Sequence, residues 1–259
     1  MKAAKIILMA VALCWVATAS AEDSEDKYEK WGPKGLKNSG WIFRIGGVIG
    51  GTSPIPLPAE IRGIEGFKPL GGFTFGADYY QMFSRRWGFQ AGVHFFTEGF
   101  HTKARVKNYR MGITQGGNYL EGNFTGVDET DTKMTGITIP VTLTFRVSPR
   151  WNISVGPFIS YLQDRRFEGS VYDGYLREGD PTGQKIEITT DNPATYDFRD
   201  DMRSTFWGLQ FMFDWKAYKH LNVFAGLDWS FSGIFSSDFK TVEFSMYPIY
   251  AKVGVAYRL

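Results

Sequence analysis

Few residues in this sequence are of the types that do chemistry. There are three histidines, His94, His101 and His220, and one cysteine, Cys14. Nucleophilic catalysis needs a serine or thiol beside a histidine that an acid orients. No local His-x-Ser pair is present, so the one arrangement to weigh is His94 with Asp78 and a serine on the same inner surface. The expectation is a histidine satisfied in a polar network. For a metal, the spacing of His94 and Glu98 keeps both on one face of a strand, whereas Glu98 and His101 face opposite ways, and two ligands do not make a site. Asp128, Glu129 and Asp131 are close in sequence and are read as a solvated loop cluster, with loose calcium binding as the sharper alternative. No glycine-rich loop ends in the Lys-Ser/Thr that cradles phosphate. The expectation is no cofactor, no metal and no enzymatic activity.

The remaining candidates are charges: Arg44, Asp78, His94, Glu98, Arg146, Asp214, Lys216, Asp228, Lys252 and Arg258. What positions them is a repeated period of two, the signature of β-strands. Ile139, Val141, Leu143, Phe145 and Val147 alternate with Thr138, Pro140, Thr142, Thr144 and Arg146. Ser148-Pro149-Arg150 is a tight-turn signal, and a second alternating run starts at Trp151. Phe73–Tyr79 and Phe89–Phe95 form a similar pair about Ser84-Arg85-Arg86, and Trp207–Trp215 and Leu221–Trp229 another about 218–220. An opening strand from Trp41 to about Gly50 and a closing strand from about Phe244 to Leu259 bring the count to eight. Connections at 84–86, 148–150 and 218–220 are short; those at about 51–66, 108–130, 172–198 and 235–240 are longer.

Composition sets the class. Aromatic residues are 17%, glycines number 30, the net charge is +2 and mean hydropathy is −0.22. Aromatic residues favour strands. No basic block suggests a nucleic-acid partner, and no apolar run of about 18 residues forms a transmembrane helix. At the start, Lys2 and Lys5 precede the apolar run Ile6–Val16 and the small residues Ala19-Ser20-Ala21, so residues 1–21 are expected to be a cleaved secretory signal peptide. The mature chain then has no thiol. Residues 22–40 are expected to be a flexible segment and 41–259 the folded domain.

Short turns on one side and long loops on the other mark an outer-membrane barrel. The predicted fold is an all-β, eight-stranded antiparallel transmembrane β-barrel, an up-and-down meander with both termini periplasmic. Alternation alone does not distinguish lipid-facing from core-facing apolar residues; the opposite face does. It combines many glycines with charges of both signs, which suits a narrow interior filled by paired side chains. Turn-counted height predicts that Asp228 meets Lys252 inside. Trp41, Trp87, Trp151, Trp215 and Tyr257, with Phe83 and Phe145, lie near strand ends and are predicted to form an interfacial girdle.

Several motifs resemble the PorT-like outer-membrane β-barrel family, common among Bacteroidetes. They are Phe73-Thr74-Phe75-Gly76-Ala77-Asp78-Tyr79, Arg86-Trp87-Gly88-Phe89-Gln90-Ala91-Gly92, Ile139-Pro140-Val141-Thr142-Leu143, Ser148-Pro149-Arg150-Trp151, Val155-Gly156-Pro157 and the strand Ala251–Leu259. The resemblance spans roughly Trp41 to Leu259 and marks barrel positions, not a chemistry. It implies a membrane-embedded barrel, with some relatives supporting secretion or gliding machinery. The chain ends in Leu259 where many such barrels end in Phe; the apolar end still suits the barrel-insertion machinery.

The expected function is therefore a non-enzymatic barrel in the Gram-negative outer membrane, serving as an envelope scaffold or surface-interaction module. Its expected partners are outer-membrane lipid, the insertion machinery and an envelope or surface protein. The alternatives are a lipid-modifying enzyme, which needs Ser, His and an acid at the outer rim, and a narrow channel for small solutes.

Overall fold

The computed structural model describes residues 38–54, 58–236, 239 and 245–259. The signal-peptide expectation lies outside these residues, as does most of the segment 22–40; Ser39 and Gly40 already belong to the first strand. The strands are β1 (Ser39–Pro54), β2 (Ile61–Met82), β3 (Trp87–Gln115), β4 (Asn118–Arg146), β5 (Trp151–Glu178), β6 (Lys185–Ile188), β7 (Ala194–Asp197), β8 (Thr205–Tyr218), β9 (Leu221–Ser230) and β10 (Met246–Arg258). Eight of them, β1-β2-β3-β4-β5-β8-β9-β10, pair antiparallel in that order, and β10 pairs back to β1 from Arg258↔Ile42 to Met246↔Pro54. The closed ring leaves no sheet edge, which a lipid environment requires.

The short turns fall where Ser and Pro place them. Ser84 Oγ accepts the Trp87 amide at 2.9 Å, and Ser148 Oγ accepts that of Arg150 at 3.3 Å. From these turns the outward residues are apolar for about ten positions, the number a tilted strand needs to cross the hydrocarbon layer. On β3 they run Trp87, Phe89, Ala91, Val93, Phe95 and give way to Thr97. On β4 they run Phe145, Leu143, Val141, Ile139, Ile137 and give way to Thr135. Thr135 and Thr97 hydrogen-bond each other at 3.1 Å at this boundary.

The long connections are not loops of the expected kind. The stretch 108–130 is mostly strand: β3 and β4 continue as one hairpin to Gln115↔Asn118, closed by Gly116 and Gly117 with φ of 57° and 86°. Two successive positive φ values define a tight hairpin turn that glycine enters without strain. Within 172–198, β5 runs to Glu178, and β6 and β7 then fold back to pair with it. Only 55–60 of the 51–66 stretch separates β1 from β2. Most of the 235–240 stretch lies outside the described residues. The reason for the difference is that above the membrane the same strands keep their pairing and change only their surroundings. β3, β4 and β5 thus rise well beyond the apolar band, and their inner faces meet β6, β7 and the segment around Phe198, Met202 and Ile234 in one buried apolar core.

Candidate functional site

The lumen is layered. In the periplasmic half, Arg44 on β1 reaches across to two acids. Its Nε donates to Asp78 Oδ2 at 2.7 Å, and Nη1 and Nη2 donate to Asp214 Oδ1 and Oδ2 at 2.5 and 3.0 Å. The other Asp78 oxygen bonds His94 Nε2 at 2.9 Å. All four side chains are buried. Glycines make the room: a Cβ on Gly92 would overlap Asp78 Oδ1, and one on Gly76 would overlap the His94 ring. Asp78↔Gly92 and Gly76↔His94 are cross-strand neighbours, so each large group faces a missing side chain.

The next layer joins Lys252 on β10 to Asp228 on β9, in direct contact, while Gln210 Nε2 donates to Asp228 Oδ1 at 2.8 Å. Gln210 and Asp228 are register partners on β8 and β9. The alternation places Gln210 on the inner face, but its role as the second partner of Asp228 becomes visible only once the register is known. Above this layer, Glu98, Thr138, Ser160, Asp228, Tyr250 and Lys252 line a cavity of about 20 Å³, room for about one water.

Not every charge expected in the network is paired. Glu98 faces the Lys252 layer without an ion pair, and Lys216, partly exposed at the periplasmic end, has none among the described residues. Arg258 lies over the Tyr80 ring at 3.8 Å, and Arg146 Nη1 and Nη2 are buried with no hydrogen-bond partner. The expectation that every enclosed charge meets an opposite one is corrected here. Among the described residues the periplasmic layer has basic side chains and no Asp or Glu, and the nearest acids, Asp78 and Asp214, are held by Arg44.

Trp41, Trp87, Trp151, Trp215 and Tyr257 point outward near the periplasmic strand ends. Trp87 packs on Phe145 at 4.7 Å and Trp151 stacks on Trp215 at 6.2 Å. A second aromatic group at the other edge, Tyr161, Trp207, Trp229 and Phe231, was not singled out by sequence reasoning. Trp207 and Trp229 each meet Phe231 edge-on, at 5.7 and 5.4 Å. Their spacing of about ten residues from the turns was the available signal.

The acidic cluster is on strand β4, not in a loop, and its side chains are engaged. Tyr196 donates to Asp128 at 2.8 Å and Tyr172 to Glu129 at 2.8 Å, while His101 meets Asp131 at 3.0 Å and Glu129 at 3.1 Å. Burial pushes the Asp128 carboxyl up to about 6, against the Tyr196 hydroxyl, which favours the charged form. Tyr196 itself is pushed up by burial and by the Asp128 charge beside it. Among the described residues no three His, Cys, Asp or Glu side chains converge on a metal position.

Residues 21–236 match the family described as outer membrane protein beta-barrel domain. No curated protein matches the chain. Several solved structures are similar to it, three of them as follows. The Ail attachment invasion locus protein of Yersinia pestis shares 12% identity at a TM-score of 0.37, covering 86% of this chain and 100% of that one. Neisserial surface protein A shares 11% at 0.39, covering 86% and 100%. OprG from Pseudomonas aeruginosa shares 14% at 0.34, covering 87% and 98%. With the family match spanning most of the sequence and the closed ring of eight strands seen in the structure, this chain belongs to the outer membrane beta-barrel domain family.

Proposed function

We propose that the chain is a non-enzymatic surface-interaction module of the outer membrane, in which the barrel anchors a tall β3–β4–β5 extension. The observation that carries this reading is the extension itself. β3, β4 and β5 are 29, 29 and 28 residues long, far beyond the ten or so that span lipid, and they share a buried apolar core with β6 and β7. A rigid platform above the membrane surface suits contact with another protein. The narrower version, support of a secretion or gliding apparatus, rests on the strand motifs that resemble the PorT-like family. Export by residues 1–21 and recognition of the apolar chain end by the insertion machinery belong to the same reading; the Leu259 amide donates to the Trp41 carbonyl at 2.9 Å, joining last strand to first.

The alternatives have less support. His94 is held by Asp78 deep in the lumen, away from the outer rim where a lipid substrate would sit. The outer-rim His101 is bonded to carboxylates and not to a serine. For a channel, the ion-paired layers and the apolar core above them fill the lumen with side chains, and the cavity beside Glu98 and Lys252 has room for about one water.

The test uses the full chain in lipid nanodiscs exposed to intact cells. A shortened variant, in which Asn-Gly replaces 100–132 and a Gly/Ser linker replaces 167–198, is compared with Lys252→Met. The expected result is a captured protein that is lost with the shortened variant and kept with Lys252→Met. Equal capture by the shortened variant, or steady conductance of the wild type in planar bilayers, contradicts the reading.

A further inference from the structure

The periplasmic end of the barrel is cationic throughout. The described residues 38–42, 81–88, 145–152, 215–222 and 257–259 include Arg85, Arg86, Arg146, Arg150, Lys216, Lys219 and Arg258 and no Asp or Glu. Most of these point to water, but Arg146 does not. It is 5% exposed, and both terminal nitrogens lack a partner. Arg258 Nε also lacks one, as do Nδ2 and Oδ1 of Asn222, itself 1% exposed. Arg146 ends β4 and Arg258 ends β10, on opposite walls of the eight-strand ring, so both side chains stand at the periplasmic end of the lumen. They are close enough for the charge of Arg258 to act on Arg146.

A buried guanidinium at Arg146 beside the half-buried Arg258, neither with an ion-pair partner among the described residues, is a costly arrangement. Elsewhere in this lumen the buried cations are matched: Arg44 by Asp78 and Asp214, Lys252 by Asp228. The planar guanidinium fork is shaped for the paired oxygens of a carboxylate or phosphate, and the Asn222 amide adds a neutral donor. The geometry points to an oxyanion-binding site at the periplasmic mouth, in which Arg146 and Arg258 grip a phosphate or carboxylate from opposite walls with Asn222 beside them. Tyr80 fixes Arg258 by stacking under its guanidinium at 3.8 Å. The oxyanion has two sources: a free anion, or a carboxylate carried by the chain itself, whose sequence places Glu22, Asp23, Glu25 and Asp26 ahead of β1. This site is at the opposite end of the molecule from the extension and stands independently of the surface-interaction reading.

The probe is inorganic phosphate, titrated calorimetrically into the full, detergent-folded chain with ionic strength held constant by NaCl. The expected result is saturable binding that weakens at least ten-fold in Arg146→Gln and in Arg258→Gln, both retaining heat-modifiable gel migration, and stays unchanged in Lys219→Gln on the exposed turn. Should the glutamine variants not fold, Arg146→Lys keeps the charge without the fork and is expected to weaken binding several-fold. If the wild type shows no saturable binding but a Glu22→Gln/Asp23→Asn/Glu25→Gln/Asp26→Asn variant does, the chain's own carboxylates fill the site. No saturable binding in either chain overturns the inference. So does phosphate binding that ignores both arginines, or that falls equally in Lys219→Gln.

Discussion

The lower and upper halves of β4 reverse their chemistry within one strand. Below the Thr135 boundary the outward side chains are Ile137, Ile139, Val141, Leu143 and Phe145, and the inward ones include Thr138, Thr142 and Thr144. Above it the outward side chains are Lys133, Asp131 and Glu129, and the inward ones include Met134 and Phe124, both fully buried. β3 and β5 reverse at the same level, from Gln90, His94 and Ser154 inside to Met111, Ile113, Phe167 and Leu176 inside. The backbone pairing does not change across this line; the surrounding medium does. Where lipid solvates the outside, apolar residues face out and the enclosed polar groups must satisfy one another. Where water solvates the outside, the hydrophobic effect pulls the apolar residues in. One sheet therefore contains a membrane barrel below and a water-soluble β-structure above.

Substitutions that act on one half only sharpen this contrast. The largest effect is expected for Arg44→Met, which strands the Asp214 carboxylate in the lumen and leaves Asp78 with His94 alone. Breaking such a buried pairing costs about 3–5 kcal/mol, read as a lower midpoint for unfolding of the whole barrel in urea. Phe167→Ala empties part of the upper core, where Phe167 packs on Tyr196, Phe198 and Phe235. A large-to-small core change of this kind costs about 3 kcal/mol or more. Hydrogen exchange should rise in the extension and stay unchanged in the lipid band, whereas equal loss in both halves would merge them into one cooperative unit.

A pH dependence should also belong to the upper half. The carboxyl of Asp128 is raised in the folded state to about 6, so the folded extension holds a proton that the unfolded one has released. The contribution of Asp128 to stability is greatest below about pH 4, falls between about pH 4 and 6 by about 2–3 kcal/mol, and is level above. Exchange in the extension of Asp128→Asn should be flat over that range, while the wild type loosens as pH rises. The smallest effect is expected in the lower girdle. Trp151→Leu removes the stack on Trp215, and an aromatic pair contributes about 1 kcal/mol, seen as a small drop in barrel midpoint with no change above the rim.

The sequence made the lower half legible because its alternation is simple: apolar out, polar in, with Ser148-Pro149-Arg150 and Ser84-Arg85-Arg86 marking the turns. Counting from the turn at His220 and back from Leu259 also brings Asp228 and Lys252 to one height. The upper half reads as loops in sequence because its Gly, Asn, Asp and Thr residues carry turn composition. In fact Gly116-Gly117 is the turn, while Asn108 and Asp173 take positive φ beside register shifts inside long strands. Such shifts change the parity of the alternation, so Tyr109, Met111 and Ile113 do not continue the inward period that runs from Gln90 and His94 to Ala104 and Val106. Pairing of charges was legible only where two strands are adjacent, as for Asp228 and Lys252. Arg44 with Asp214 spans the lumen, and the lack of partners at Arg146 depends on what the other walls do not supply.

The reversal at Thr135 is open to direct measurement in a chain carrying Cys14→Ser, which has no other cysteine. Single nitroxide labels at Ile139, Ile137, Thr135, Lys133 and Glu129 on the outer face of β4 are compared in bilayers for collision with oxygen and with a water-soluble nickel chelate. Oxygen should dominate at Ile139 and Ile137, and the chelate at Lys133 and Glu129, with the crossover at Thr135. Oxygen-dominated collision continuing to Glu129, or chelate access at Ile139, would contradict a membrane band that ends where the inner face turns apolar.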